Sequence, residues 1–334
     1  MTVENIINDI KKGNIQPIYF LYGDEPYFID KVSDYIENNV LSEVEKGFDQ
    51  MVLYGRDVSV ADIVANARRF PMTASRQVII VKEAQDLIRT ITQLESYIEN
   101  PQESTTLVFN YKYKKPDKRK KVFKLLSKKS VFFESKALYE NQVPAWISKF
   151  TKTNGYLIEP KAAQMLVEFL GTELSKIVNE LSKLFIILPK GTTISPEAIE
   201  ENIGISKDFN NFELRKAIGT KNIVTANQII NYFAQNPKSN PLVMTISLLN
   251  SFFTQLLQYH GLPNKNNPRA VATALRVNPF FVGDYVTAGQ NYPMRKVSQI
   301  IGLLREADLK SKGVGARDLP HGDLLKELLF RIMH

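Results

Sequence analysis

Apolar positions follow two rhythms along this chain. Up to residue 140, short unbroken apolar runs alternate with stretches in which apolar side chains recur every three or four residues. The runs are Pro17–Tyr22, Met51–Tyr54, Val78–Val81, Thr106–Phe109 and Val131–Phe133, each of strand length. Helical patterns precede and separate them. Val3, Ile6, Ile7 and Ile10 form one, stopped by Lys11, Lys12 and Gly13; Phe28, Val32, Tyr35 and Ile36 form the next; others run from Ser59 through Ala67, from Leu87 to Ile98, and through Val122, Phe123, Leu125 and Leu126. Five short apolar strands alternating with helices predict a parallel α/β sheet covered on both faces.

Beyond residue 140 the strand rhythm fades. Pro144-Ala145-Trp146-Ile147 opens a helix that Asn154-Gly155 closes, and Glu159-Pro160 starts another bearing Ala163, Leu166, Val167 and Leu170. Leu174, Ile177, Val178, Leu181, Leu184 and Phe185 make a strong stripe that ends at Pro189-Lys190-Gly191. Ser195 then caps a short helix with Pro196 at its first position. After a linker around Lys207-Asp208-Phe209-Asn210 the pattern is helical again, at 212–218, 223–233, 242–259, 269–275, 279–288, 297–309 and 324–332, broken by the proline- and asparagine-rich stretch 261–268. The expected organisation is an α/β domain over 1–140, a small helical domain over 141–207 and a second helical domain over 208–334.

Composition narrows the chemistry. A chain of 334 residues has room for two or three domains. It has no cysteine and three histidines, His260, His321 and His334, so thiolate nucleophiles, disulfides and Cys/His zinc cages are excluded and no metal or other cofactor is expected. Met1-Thr2-Val3-Glu4-Asn5 lacks the basic start and apolar stretch of a secretion signal, and no apolar run is long enough to span a bilayer; a cytoplasmic protein is expected.

The first strand-to-helix turn is where a nucleotide-binding version of this fold carries a glycine-rich phosphate loop ending in Gly-Lys-Ser/Thr. Here it reads Gly23-Asp24-Glu25-Pro26: one glycine, no lysine, and two carboxylates where phosphate oxygens would sit. Nor does a strand end in paired acids for magnesium, since Val81 is followed by Lys82-Glu83, Phe109 by Asn110 and Phe133 by Glu134. Asp24 or Glu25 is better read as favouring the helix N-terminus, with Pro26 in the first turn. The reading is a nucleotide fold without its chemistry.

The formal net charge of +8 suits an anionic partner, and its distribution has a centre. Between Lys112 and Lys136 eleven basic residues face only Asp117 and Glu134. Lys112, Lys114, Lys115, Lys118, Arg119, Lys120 and Lys121 are the candidate DNA-facing residues, with Tyr111, Tyr113 and Phe123 available for base stacking. The competing reading, which we favour, is a solvated helix face above a buried Val122-Phe123-Leu125-Leu126 stripe.

Arg68-Arg69-Phe70-Pro71-Met72-Thr73-Ala74-Ser75-Arg76 places bulky apolar residues between a helix and a strand. Pro71 restricts Phe70 to extended or turn geometry, so neither neighbouring element absorbs the Phe70/Met72 pair. Taken alone, the stretch allows two readings: both side chains tuck under the sheet edge, or they form a docking knob.

The order of parts, together with three motifs, resembles the delta subunit of the bacterial DNA polymerase III clamp loader. Pro17-Ile18-Tyr19-Phe20-Leu21-Tyr22-Gly23-Asp24-Glu25-Pro26-Tyr27 resembles the family's opening strand and Gly-Asp-Glu turn. Phe70-Pro71-Met72-Thr73-Ala74-Ser75-Arg76 with Gln77-Val78-Ile79-Ile80-Val81 resembles its clamp-binding loop and third strand. Leu303-Leu304-Arg305-Glu306-Ala307-Asp308-Leu309-Lys310-Ser311 resembles its Ala-Asp-Leu-Lys-Ser signature. The resemblance implies a degenerate AAA+-like α/β domain followed by two all-α domains, a lid and a collar. It also implies a non-hydrolysing subunit that holds the ring of a sliding clamp open for loading onto primed DNA. The clamp, ATPase subunits and delta-prime are its implied partners. Clamp contact falls to Phe70, Pro71, Met72 and Thr73, although Thr73 stands where some relatives carry a second bulky apolar residue. The absence of cysteine counts against delta-prime, whose relatives often carry a zinc-binding cysteine cluster. Two other classes remain to be separated: an active nucleotide hydrolase with an unusual site, and a nucleic-acid-binding module built on residues 112–136.

Overall fold

A computed structural model of the chain describes residues 2–204, 206, 208–315 and 320–334. The chain divides into two compact units, residues 1–138 with 173–175, and residues 139–172 with 176–334.

The first unit is built on a five-stranded parallel sheet. Its strands are β1 (Ile18–Gly23), β2 (Gln50–Tyr54), β3 (Gln77–Lys82), β4 (Thr105–Lys112) and β5 (Val131–Ser135), in the order β2-β3-β4-β1-β5. All four pairings are parallel, with Phe20 beside Phe109 and Phe132, and Val78 beside Gln50 and Thr106. Successive side chains along a strand point to opposite faces, and both faces are buried. On one face Phe20, Tyr22, Ile79, Val81, Phe109 and Tyr111 meet α4 (Val60–Ala67), α5 (Glu95–Glu99) and α6 (Lys121–Lys129). On the other Tyr19, Leu21, Val78, Ile80 and Val108 meet α1 (Val3–Lys11) and α2 (Pro26–Asn39). The expected double-sided coverage is observed.

Two local differences from the sequence reading are visible. The stretch 87–98 is two 3-10 turns, Ala84–Leu87 and Ile91–Leu94, leading into the five-residue α5, rather than one helix; its apolar residues still reach the core as Leu87, Ile91, Leu94 and Ile98. A short helix unforeseen in the pattern, α3 (Glu43–Asp49), precedes β2. It is started by a capping box in which Ser42 and Glu45 exchange side-chain and backbone bonds.

The second unit is helical. Helices α7 (Val143–Thr153), α8 (Pro160–Leu170), α9 (Leu174–Ile187) and α10 (Pro196–Ile203) fall where the apolar stripes and prolines predict them, and Ser195 accepts from the Ala198 N–H as the α10 cap. The sequence reading did not include a two-residue parallel ladder, β6 (Leu157–Ile158) with β7 (Thr193–Ile194). Then come α11 (Asn211–Gly219), α12 (Ile223–Gln235), α13 (Leu242–Gly261), α14 (Pro268–Leu275), α15 (Val282–Asn291), α16 (Met294–Ser311) and α17 (His321–Met333), which share one apolar core. Lys207, on which the expected linker and domain boundary fall, lies outside the described residues, as does Met1. The fold class agrees with the expectation in its outline: an α/β part on a parallel sheet followed by helical parts.

Candidate functional site

The loop between α4 and β3 presents its apolar side chains outward. Phe70 is 77% and Met72 78% exposed, while Pro71 between them is half-buried and Thr73 exposed. The backbone under these residues is held at both ends. On the leading side the buried Gln77 places its side-chain Nε2 2.7 Å from the Arg69 carbonyl and 3.1 and 3.3 Å from those of Asn66 and Ala67. The same nitrogen lies 2.8 Å from the Thr105 hydroxyl, which donates in turn to the Ala67 carbonyl at 2.8 Å. These groups occupy the C-terminal turn of α4, where carbonyls lack helical partners.

On the trailing side one carboxylate does the holding. Asp49, the last residue of α3, is 5% exposed and accepts from the backbone N–H groups of Met72 (2.5 Å), Thr73 (2.8 Å) and Ala74 (2.8 Å) and from the Thr73 hydroxyl (2.8 Å). Burial pushes the Asp49 carboxyl up, but the N–H groups of Met72, Ala74 and Thr73 and the Thr73 hydroxyl outweigh it and bring it down to about 2. Arg76 completes the anchorage with bonds to the Thr105 carbonyl (3.2 Å) and the Thr106 hydroxyl (3.1 Å), and Ala74 packs against the core. The loop therefore carries its exposed aromatic and thioether on a backbone fixed by charge-assisted bonds. Its tip does not tuck under the sheet edge. Sequence reading named the tip and missed Asp49, Gln77 and Thr105, whose partners lie 23 to 25 residues away for Asp49 and 28 for Gln77 with Thr105.

The first strand-to-helix turn is closed. Gly23 has φ +139°, and a Cβ there would stand 2.0 Å from the Ser135 carbonyl oxygen, so β5 lies directly against the turn. The Glu25 N–H donates to that carbonyl at 3.3 Å, and the Ser135 hydroxyl donates to the Glu25 carbonyl at 2.6 Å. The Glu25 side chain, 6% exposed, caps α2 by accepting from the Tyr27 N–H at 3.0 Å, with Pro26 at the first helical position. Burial pushes this carboxyl up, against the pull of the Tyr27 N–H. Glu25 therefore serves α2 as its cap, and the turn is bonded to the end of β5. Among the described residues no cluster of three or more His, Asp or Glu side chains is placed to hold a metal ion.

The seven candidate DNA-facing residues do not form one free face. Lys112 ends β4 and is held between Asp30 (2.7 Å) and Glu83 (3.7 Å). In the connection to α6, Lys115 pairs with Asp24 (3.0 Å), Lys118 with Glu134 (3.5 Å) while lying over the Tyr22 ring, and Arg119 with Asp117 (2.9 Å). Lys121 opens α6 beside Glu95 and Glu99. Lys114 and Lys120 are exposed and make no ion pair among the described residues. Of the three stacking candidates, Tyr111 and Phe123 are core instead, and Tyr113 is exposed.

The Leu303–Ser311 motif lies on α16 and works inside the helical unit. Leu304 and Ala307 are buried, Glu306 forms a two-pronged pair with Arg331 on α17 at 3.1 and 3.0 Å, and Lys310 bridges to Glu306 and Glu327.

Residues 19–136 match the family model described as DNA polymerase III, delta subunit, and residues 208–324 match that of the DNA polymerase III delta subunit, C-terminal domain. The DNA polymerase III subunit delta of Bacillus subtilis (strain 168) is 26% identical over 325 residues, covering 95% of this chain and 93% of the relative. The solved structure of the B. subtilis DNA clamp loader delta protein shares the fold, with a TM-score of 0.55 at 24% identity and 99% of each chain covered.

Proposed function

We propose that this chain, which belongs to the family of DNA polymerase III delta subunits, is the clamp-binding part of a clamp loader, and that Phe70 and Met72 are the side chains that dock into the sliding clamp. The observation that carries this reading is the pairing of high exposure with a fixed backbone: both side chains point outward from a loop that Asp49 and Gln77 hold. A preformed loop gives up little conformational freedom on binding, so more of its apolar burial appears as affinity. Burying a phenylalanine and a methionine is worth about 1.5–3 kcal/mol each, enough to make them interface hot spots.

Opening the ring follows only from tighter binding to the open state, since a ligand shifts an equilibrium by its differential affinity. In this reading the chain hydrolyses no nucleotide, in keeping with a Gly23-Asp24-Glu25-Pro26 turn that has one glycine and no lysine and whose Glu25 caps α2. It works in the cytoplasm, in a complex with ATPase and delta-prime subunits, on primed DNA. The three-part division into 1–140, 141–207 and 208–334, with the helical parts acting as lid and collar, belongs to the same proposal. Among the described residues no helix is long and apolar enough to cross a membrane.

The test is binding of the purified chain to its host's sliding clamp without nucleotide. Wild type should bind unaided, and Phe70→Ala/Met72→Ala should lose at least about a hundredfold in affinity with an unchanged melting temperature. Unchanged affinity in the folded double variant would sink the proposal.

A further inference from the structure

The short helix α3 is built the wrong way round for a core element. Of its seven residues only Asp49 is buried, whereas Val44 is 76% and Phe48 56% exposed. Spaced by four, Val44 and Phe48 share one face, and that face is turned to solvent. A helix of this length is not stable by itself in water. Here the Ser42/Glu45 box starts it and the Asp49 bonds fasten its end, so the helix is attached while most of Val44 and more than half of Phe48 stay exposed.

The fastening point gives the exposed face a context. Phe48 is the neighbour in sequence of Asp49, and the Asp49 carboxylate grips the backbone of Met72, Thr73 and Ala74. Any body that meets Met72 is therefore beside the end of α3, and the two elements are tied into one piece. Single exposed apolar residues are ordinary; two outward pairs, Val44/Phe48 and Phe70/Met72, on elements joined by a buried carboxylate are not. The exposed Glu43, paired with the mostly covered Lys46, lies on the same helix and puts a charge beside this face, in keeping with a polar rim around an apolar centre.

We propose that the Val44/Phe48 face of α3 is a second contact for the sliding clamp, continuous with the 70–73 loop; this rests on the loop being the clamp-docking element. Asp49 then serves as the positioning residue that registers the two contacts against each other.

The experiment compares clamp affinity, melting temperature and self-association for wild type, Phe70→Ala/Met72→Ala and Val44→Ser/Phe48→Ser. The expected result is a loss of about tenfold in clamp affinity for Val44→Ser/Phe48→Ser, with unchanged melting because neither side chain is buried in the free chain. If that variant binds the clamp like wild type while Phe70→Ala/Met72→Ala does not, the second contact is overturned and the loop reading stands. If Phe70→Ala/Met72→Ala binds like wild type, the loop reading fails and this inference fails with it. A wild-type dimer that Val44→Ser/Phe48→Ser dissociates, with clamp affinity unaltered, would assign the face to a second copy of the chain and overturn the proposal.

Discussion

The Asp49 carboxylate takes both the backbone N–H and the hydroxyl of Thr73, each at 2.8 Å. Thr73, although exposed, thereby has its N–H and hydroxyl taken up, which leaves Phe70 and Met72 as the outward apolar pair of the loop. Asp49 is the last residue of α3 and its carboxylate holds the segment before β3, so one buried charge ties together two exposed surfaces. Its own cost of burial is offset by four donors rather than by a cation.

Asp49→Asn keeps the shape and removes the charge. One amide oxygen cannot serve all four donors, and the amide NH2 would face an N–H group, leaving at least one donor unpaired. The expected loss is about 1–3 kcal/mol in urea unfolding. The amide hydrogens of Met72, Thr73 and Ala74 should exchange at least about tenfold faster if the loosening is local. Clamp affinity should fall although no docking side chain has changed; an unaltered exchange pattern would show that the carboxylate does not hold the loop.

The acid limb of stability should carry the same signature. The Asp49 carboxyl sits at about 2 in the folded chain, against about 3.9 when unfolded. Its stabilising contribution is complete above the unfolded value and is lost as pH falls through the folded one. The stability difference between wild type and Asp49→Asn, measured in urea from pH 5 to pH 2, should therefore shrink across the lower half of that range. A difference that stays constant would mean the charge is not the source.

The sheet, its two covered faces and most helices are legible in the chain because burial imposes periods of two and of three to four on the residues that carry it. Phe20 and Phe109 announce β1 and β4 for that reason, and Ser195-Pro196 announces α10 through capping chemistry. The loop tip is legible because Pro71 keeps Phe70 out of both neighbouring elements. Asp49 is not. Its role depends on a fold that brings the end of α3 to a segment 23 to 25 residues later, and nothing near it in sequence distinguishes a clasp from a solvated acid. Helix α3 is illegible for a related reason: its two apolar residues face solvent, so the burial pattern that reveals other helices is missing. The basic segment misleads in the opposite sense, since its density in sequence is undone by carboxylates contributed from elsewhere, such as Asp30 for Lys112 and Glu95 for Lys121.

Gly23 tests the closed turn. Its φ of +139° and the 2.0 Å separation of a would-be Cβ from the Ser135 carbonyl leave no room for alanine without moving β5. Gly23→Ala should cost at least about 2 kcal/mol through combined strain and overpacking, and the melting temperature should fall by several degrees. By contrast, Gly13→Ala, also at positive φ but with nothing near its would-be Cβ, should cost less. Equal losses at the two sites would remove the argument that β5 seals the turn.

The salt dependence of DNA binding decides how much of the basic segment reaches phosphate. Each phosphate neutralised on duplex DNA contributes about −0.9 to the slope of log affinity against log salt. Of the seven candidates, Lys112, Lys115, Lys118, Arg119 and Lys121 are already paired with carboxylates, and Lys114 and Lys120 are not. If existing pairs persist, Lys114 and Lys120 alone predict a slope of about −2 for the isolated chain on short duplex DNA. Lys114→Ala/Lys120→Ala should bring that slope close to zero while leaving clamp binding as it was. A wild-type slope near −6 would mean instead that the paired lysines abandon Asp24, Asp30 and Glu134 for phosphate, and that the segment is a DNA-binding face whose ion pairs hold it only until DNA arrives.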